Sequence, residues 1–405
     1  MKILIYGEWF LPSVGGVQNA MDLLARGFVE FRGTGLPDES YPIEVTVATN
    51  TPRGDMDDSK LSYRVVRQPG FRQLVHLIRD ADVVHLAGPC FLPMLIGWMA
   101  RKPVVVVHHV YQAICPNGLL FKQPSQTVCS GHFMKRQYAE CVRCCSETMG
   151  VAGAIRSLLL AFPRRWLCKR AAANVMVTDH VGGRVQMPQS RTIYLGIDEI
   201  EAFAASNGAR QSSVIEFGYI GRLVAEKGLP LALEAAKHLA DGGKPFHLTF
   251  IGDGPERVRL TALVETLGLD GRVEFTGDLR TTALEHAAGR IAVLVMPSIW
   301  EETAGLAAIE HMMRGRPVIA ADTGGLGEII GDAGLKFTMG DSQRLAAAMQ
   351  RVIDDPSLVA SLGSAARARA RKFFRRDTMI ESQVALCREL LNSRSERPAR
   401  TEPLE

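Results

Sequence analysis

Short apolar runs and amphipathic runs alternate along most of the chain. Lys2 to Tyr6, Val45 to Ala48, Tyr63 to Arg67, Val83 to Leu86 and Val104 to Val107 have the Val- and Ile-rich character of buried strands. Between them, 17–31, 71–79 and 91–100 carry apolar residues at helical spacing. The alternation restarts at Val214 to Ile220 and continues through strands Phe246 to Ile251, Val273 to Thr276, Ile291 to Met296 and Val318 to Ala320. Helices are expected at Pro230 to Asp241, after GDGPE, at Thr282 to Ala288 and at Leu306 to Arg314. This pace predicts βαβ units and parallel sheets, so the fold class is α/β with two Rossmann-like domains in tandem.

Breaks in the pattern set the boundaries. Tyr194 to Asp198 reads as the end of a last strand, so the first domain takes residues 1–198. The polar stretch 199–213, with NGARQSS, is the expected linker, and 214–372 form the second domain. A final amphipathic helix at 373–392 precedes a polar, proline-containing tail at 393–405 that is expected to be loose. Inside the first domain, Arg32 to Pro42 reads as an insertion and 115–145 as an irregular insertion of little periodicity. Val151 to Arg170 reads as a helix interrupted at Pro163, with Ile155, Leu158, Leu159, Phe162 and Trp166 apolar and Arg156, Arg164, Arg165, Lys169 and Arg170 flanking them. Packing on the first sheet is the preferred reading of that helix; a seat in a membrane interface is the other.

Composition narrows the class. The 405 residues are 47% hydrophobic and 22% charged, and no unbroken apolar run approaches the ~18 residues of a membrane span. MKILIYGEWF lacks the cleavage pattern of a signal peptide, so a cytoplasmic address is expected, with a peripheral position at the inner membrane face as a variant. The net charge of +4 hides an asymmetry: 101–170 holds eleven Lys or Arg against Glu140 and Glu147. Such a surplus suits an anionic partner, whether membrane surface, lipid phosphate or nucleic acid; peripheral membrane contact is the expectation kept, and nucleic acid is not. The eight cysteines point to metal ligands or plain thiols. Cys115, Cys129, Cys141 and Cys144 offer four thiolates in which C-x2-C places two on one ion, so a structural zinc or iron–sulfur cluster is expected there, with unligated thiols as the alternative.

The candidate chemistry sits where strands end. Glu301 and Glu302 follow strand 291–296 and Pro297, Gly305 permits a turn, and Glu310 comes eight residues after Glu302. Ligands of open α/β sheets bind beyond such strand ends. Arg222 and Lys227, in GRLVAEKG after the second domain's first strand, supply a fork and a point charge that suit a diphosphate. Gly15 and Gly16 allow close approach of a phosphate to the helix that follows. His108 and His109 end strand 104–107, where a histidine can orient a substrate hydroxyl. Cations for a diphosphate beside acids for sugar hydroxyls describe a nucleotide-sugar site.

The segments GEWFLPSVGGVQNAMDLLA, GRLVAEKG, FIGDGPE and MPSIWEETAGLAAIEHMMRGRPVIAADTGGLGEII resemble the retaining glycosyltransferases of family GT4, over roughly residues 1–390 and most strongly over 214–340. The resemblance implies a GT-B fold: two Rossmann-like domains facing across a cleft, with the last helix crossing back to the first. Glu302 and Glu310 match the family's E-x7-E motif, which implies that Glu302 lies near the donor sugar and Glu310 holds the ribose. Arg222 and Lys227 match its donor-diphosphate pair, Gly16 its glycine loop, and His109 its histidine near the sugar; the implied donor set also takes in Gly15, Thr303, Ala304, Gly305 and Leu306. The cysteine-bearing loop resembles that of a subset of such enzymes. Ala304 and His311 depart from the family's usual Phe and Ala, which leaves the sugar open.

The function expected is therefore retaining transfer of a sugar from a nucleotide diphosphate to an acceptor hydroxyl, lipid-linked, polysaccharide or natural product. Catalysis should need no metal or other cofactor, since no D-x-D triplet lies at a suitable strand end. Competing expectations are another GT-B enzyme, such as a nucleotide-sugar epimerase or sugar phosphorylase, and a cysteine-metal regulatory protein with a vestigial cleft.

Overall fold

The structure, a computed structural model, describes residues 1–13, 15–31, 42–123, 125–202 and 214–395. Most of the expected linker and of the polar tail, and most of the 32–42 insertion, lie outside these residues.

The first domain opens with strand β1 (Lys2–Gly7), helix α1 (Gly16–Glu30), β2 (Glu44–Thr49), β3 (Arg64–Arg67), α2 (Phe71–Asp80), β4 (Val83–Leu86), α3 (Phe91–Met99) and β5 (Val104–His108). A small hairpin, β6 (Phe121–Lys122) with β7 (Thr127–Val128), precedes α4 (Tyr138–Cys168), β8 (Ala173–Met176), α5 (Asp179–Val185) and β9 (Ser190–Thr192). Seven strands form one parallel sheet in the order β3-β2-β1-β4-β5-β8-β9. Runs such as VVHL and VVVVH are buried along their whole length, as strands covered on both faces must be.

The second domain repeats the scheme with β10 (Ile215–Ile220), α6 (Leu229–Asp241), β11 (Phe246–Ile251), α7 (Arg257–Leu267), β12 (Val273–Gly277), α8 (Thr281–Arg290) and β13 (Val293–Met296). It continues through α9 (Leu306–Met313), β14 (Val318–Ala321), α10 (Gly324–Ile330), β15 (Leu335–Phe337), α11 (Ser342–Asp354) and α12 (Ser357–Phe373). Its parallel sheet runs β12-β11-β10-β13-β14-β15. The last helix, α13 (Arg376–Ser395), returns to the first domain, where Ile380 packs over Gly27 of α1 and Gln383 Oε1 lies 3.1 Å from His85 Nε2 of β4. Arg376 also pairs with Glu30 and Asp198. One apolar cluster joins first-domain residues to Met296, Trp300, Ile309 and Leu326 of the second, so the domains meet through a packed seam.

Three expectations need correction. Tyr194 to Asp198 is not a strand; the first sheet ends at β9, and Ile197 only bridges to Arg375. The 115–145 insertion is not irregular throughout, since α4 begins at Tyr138: Tyr138, Cys141, Val142 and Cys145 recur at i, i+3, i+4 and i+7 and share a buried side, a helical period that the cysteine spacing masks. The interruption of α4 falls at Gly150, which adopts φ 69°, and the helix runs on through Pro163.

Candidate functional site

The loops after β10 and β13 bring the rear domain's charges together. Residues 225–227 make a single 3₁₀ turn closed by Gly228 at φ 64°, a conformation that a side chain rarely takes. A Cβ there would stand 2.2 Å from the carbonyl oxygen of Pro297, so only glycine lets this loop lie against the end of β13. Ile299 N donates to Glu226 O at 3.1 Å and fixes the register of the two loops. Lys227 Nζ is thereby held 3.0 Å from Glu302 Oε2 and 5.5 Å from the ring centroid of Trp300. Glu302 is only 4% exposed, and Ser298 donates to its other oxygen. A carboxylate this deep persists only because lysine and hydroxyl both serve it.

Arg222 lies five residues before Lys227, exposed, with no hydrogen bond or ion pair to its side chain among the described residues; Tyr219 OH donates to its carbonyl oxygen at 2.9 Å. Burial pushes the Tyr219 phenol well above its ordinary range, with the charges of Glu302 and Glu226 adding to that and Arg222 opposing it. Glu302, Lys227 and Arg222 therefore form one charged group around Tyr219. Glu310 sits one and a half turns into α9, its side chain 38% exposed and 4.0 Å from Arg314, which is drawn instead to Glu285 at 2.6 Å. Desolvation raises its pKa, with the charge of Arg314 opposing and that of Glu285 adding to the rise.

The front domain closes on this loop. Thr303 Oγ1 donates to the His109 carbonyl oxygen at 2.7 Å, and Thr178 Oγ1 donates to the Thr303 carbonyl oxygen at 2.8 Å. Glu301 turns away from Glu302 to meet Arg184 Nε at 2.8 Å and His180 Nε2 at 3.4 Å on α5. Burial alone would raise its pKa, but His180 and Arg184 outweigh this and hold it below the ordinary carboxylate value. Glu328 of α10 reciprocates, accepting from the backbone N–H groups of Asp179 and His180 at 2.9 and 2.8 Å and from Tyr194 OH at 2.7 Å. Gly16, at the first turn of α1, faces Leu306 at the first turn of α9, with 3.5 Å between the Leu306 Cδ1 and a Cβ built on Gly16. Two helix N-termini, each a source of positive potential, thus border one crevice. Gly15 and Gly305 are the N-cap residues of these two helices, and Ala304 packs partly buried at the seam.

His109 is half-buried and lines a cavity of about 20 Å³ with Met21, His85, Ile193 and Gln383, under α1 and α13. Burial, helped by His85 and His108, lowers its pKa to about 3, so it is neutral at physiological pH. What joins it to the donor loop is its carbonyl oxygen. His108 is fully buried and bonded through Nε2 to Asn174 Oδ1 at 2.9 Å, a structural role. Sequence reasoning missed Thr178, His180, Arg184, Glu328 and Tyr111. The Tyr111 hydroxyl is buried without a partner, and its pKa is raised by burial first and then by Glu301 and Glu302. A helical reading of DHVGGRV would have placed His180 and Arg184 one turn apart on one face.

Among the described residues no group of three or more His, Cys, Asp or Glu is arranged to hold an ion, although Cys115, Cys129 and Cys144 lie close enough to Cys141 to help raise its pKa. All eight cysteines are free. The helix that begins at Tyr138 takes Cys141 into an apolar cluster with Phe133, Leu158 and Ala161. Cys115 Sγ donates to Asn117 Oδ1 at 2.9 Å and Cys144 Sγ to Phe121 O at 3.6 Å, so these thiols serve loop hydrogen bonds. Burial raises Cys115 to about 11 and Cys141 to about 12, whereas a hydrogen bond from Cys145 lowers Cys144 to about 6.

Comparison with known proteins agrees with this geometry. Residues 203–369 match the model of the glycosyl transferases group 1 family. The chain is 31% identical over 230 residues to the 2-deoxystreptamine glucosyltransferase of Streptomyces kanamyceticus, covering 53% of this chain and 59% of that protein. It is 31% identical over 212 residues to the alpha-D-kanosaminyltransferase of the same organism, covering 48% and 54%. The chain thus matches little more than half the length of these relatives. Among solved structures, Anabaena HepE in complex with UDP and glucose superposes with a TM-score of 0.68 at 20% identity, over 98% of this chain and all of that one. The sucrose-phosphate synthase of Thermosynechococcus elongatus gives a TM-score of 0.71 at 19% identity, over 97% and 99%. With the charged crevice between two parallel-sheet domains and the crossing α13, these matches show that the chain carries the GT-B fold and that its residues 203–369 match the glycosyl transferases group 1 family.

Proposed function

We propose that this protein transfers a sugar from a nucleoside diphosphate sugar to an acceptor hydroxyl with retention at the anomeric carbon. The observation that carries the reading is the Lys227–Glu302 pair, buried at the end of β13 beside an unpaired Arg222. Both cations belong to the loop after β10, and a diphosphate bound there would compete for Lys227 while Glu302 stays held by Ser298. As the bond from the anomeric carbon to the β-phosphate oxygen breaks, Lys227 and Arg222 stabilise the charge that grows on the leaving diphosphate. The acceptor oxygen then bonds to the same face of that carbon, and its proton passes to a departing phosphate oxygen. On this reading the two cations neutralise the leaving group, and the protein needs no catalytic metal.

Glu302, near the sugar, and Glu310, toward the ribose, would take the hydroxyls of the donor. His109, neutral by burial, contributes its main-chain position more than a charge. UDP is the first base to test because Anabaena HepE is seen with UDP, with UDP and glucose, and with UDP-glucose. The test is incubation of the protein with sugar-labelled UDP-hexoses and a panel of hydroxyl acceptors, aminocyclitols among them. Label in an acceptor together with equimolar UDP is expected. Label returned only in an epimerised nucleotide sugar would instead identify an epimerase, and no transfer from UDP-hexose together with sugar 1-phosphate formed from a glycan and inorganic phosphate would identify a phosphorylase.

A further inference from the structure

The first domain carries an apolar face that the site does not use. In α4 beyond Gly150, Ala154, Leu158, Ala161 and Leu167 are buried against the domain. The adjoining side presents Val151, Ile155, Leu159, Phe162 and Trp166, spaced by four, four, three and four residues, so that they form one stripe, at whose edge Phe162 also packs against Phe133 and Tyr138 with centroids 5.2 Å away. Val151 is 62% and Leu159 61% exposed. The stripe continues onto α3, where Trp98 stacks edge-on against Trp166 with centroids 5.2 Å apart and Met99 is 68% exposed. At 1.5 Å per residue the α4 stripe alone runs about 22 Å. Contiguous apolar faces of this kind are uncommon on proteins that stay in water.

Its borders are cationic. Arg101, Arg156, Lys169 and Arg170 are exposed around it, and Arg170 lies 3.7 Å from the Trp166 ring centroid. Residues 101–170 hold eleven Lys or Arg against Glu140 and Glu147. A second copy docking on the same face by two-fold symmetry would set these cations against their own kind. By length and composition α4 would also pass for a membrane span, but the break at Gly150 and its buried side bind it lengthwise to the domain. A helix with Leu, Phe and Trp on one side, bordered by Arg and Lys, matches the composition that lies in a bilayer interface.

We propose that the α3–α4 face is a docking surface for an anionic lipid bilayer, with Val151, Ile155, Leu159 and Phe162 entering the acyl boundary and Trp98, Trp166 and the flanking cations at headgroup level. The face is linked to the crevice: Ser157 Oγ of α4 donates to Pro116 O at 2.8 Å, and Arg184, the partner of Glu301, donates to Cys129 O at 3.0 Å. Docking would therefore set the front domain, and the crevice it closes, at the bilayer surface. The surface is independent of the transfer reaction proposed above, and its test reads no activity.

The full chain is sedimented with vesicles of phosphatidylcholine alone and of phosphatidylcholine with phosphatidylglycerol, at low and high salt. Binding to the anionic vesicles is expected, at least about tenfold stronger than to neutral ones and weakened by salt. Leu159→Glu, and separately Lys169→Glu with Arg170→Glu, should each lower that binding about tenfold or more with the thermal midpoint unchanged. Should Leu159→Glu fail to fold, Met99→Glu on α3 gives the same reading. No binding to anionic vesicles, or equal binding by the folded variants, overturns the proposal. So does a dimer that Leu159→Glu dissolves in the absence of any vesicle binding, which would show that a second copy covers the face.

Discussion

The rear domain bears on the crevice with charged side chains at the ends of β10 and β13, whereas the front domain does so with a carbonyl oxygen at His109, a hydroxyl at Thr178, and an imidazole and a guanidinium on α5. Lys227, Glu302 and Arg222 sit on two loops of one sheet, and their placement follows from local chain geometry around Gly228. The front domain's contacts reach Thr303, Glu301 and Glu328 across more than a hundred residues of sequence. On the proposed function, one domain holds the chemistry and the other sets how it is enclosed. Losing a rear group should abolish turnover while the fold survives; losing a front group should loosen closure and leave the chemistry largely in place.

Lys227→Ala should have the largest effect, lowering kcat/KM at least about 10²-fold, or roughly 2.7 kcal/mol, and it should also lower the thermal midpoint because the buried Glu302 loses its cation. Glu302→Gln should fall in the same range, and steady-state kinetics on the labelled donor checks both. Gly228→Val comes next. Its Cβ cannot coexist with Pro297 O, so the loop must move, and chemical denaturation should show a loss of roughly 2–3 kcal/mol with activity falling alongside.

A smaller and different effect is expected of Arg184→Ala, which should raise KM severalfold while kcat holds. Its stability cost depends on pH. Glu301 has a folded pKa below its ordinary 4.5, so its contribution is present above that value and is lost as pH falls through the lower folded one. The difference in midpoint between wild type and Arg184→Ala should therefore persist at neutral pH and shrink below about pH 4. Thr303→Val should have the least effect, about 1 kcal/mol of stability from one hydrogen bond to His109 O, read by denaturant titration.

The same contrast explains what was legible in the sequence. The βαβ alternation and most strands of the two sheets follow from local patterns, because buried parallel strands read as continuous apolar runs and the loop glycines punctuate them. The last part of the first sheet was not legible: ANVM and SRT are too short and mixed to separate from their surroundings. The residues of α5 went with it, since nothing local marks Arg184 as the partner of Glu301. The cysteines admit two readings for a physical reason, as thiols at helical spacing serve a packed helix side as readily as they serve a metal.

Calorimetric titration of UDP into the wild-type protein, Lys227→Ala and Arg222→Ala tests the central claim most directly. If the rear domain grips a diphosphate, UDP binds the wild type and each variant binds at least about tenfold more weakly, a loss of roughly 1.4 kcal/mol or more, while uridine distinguishes none of the three. Equal UDP affinity in all three proteins would contradict the account.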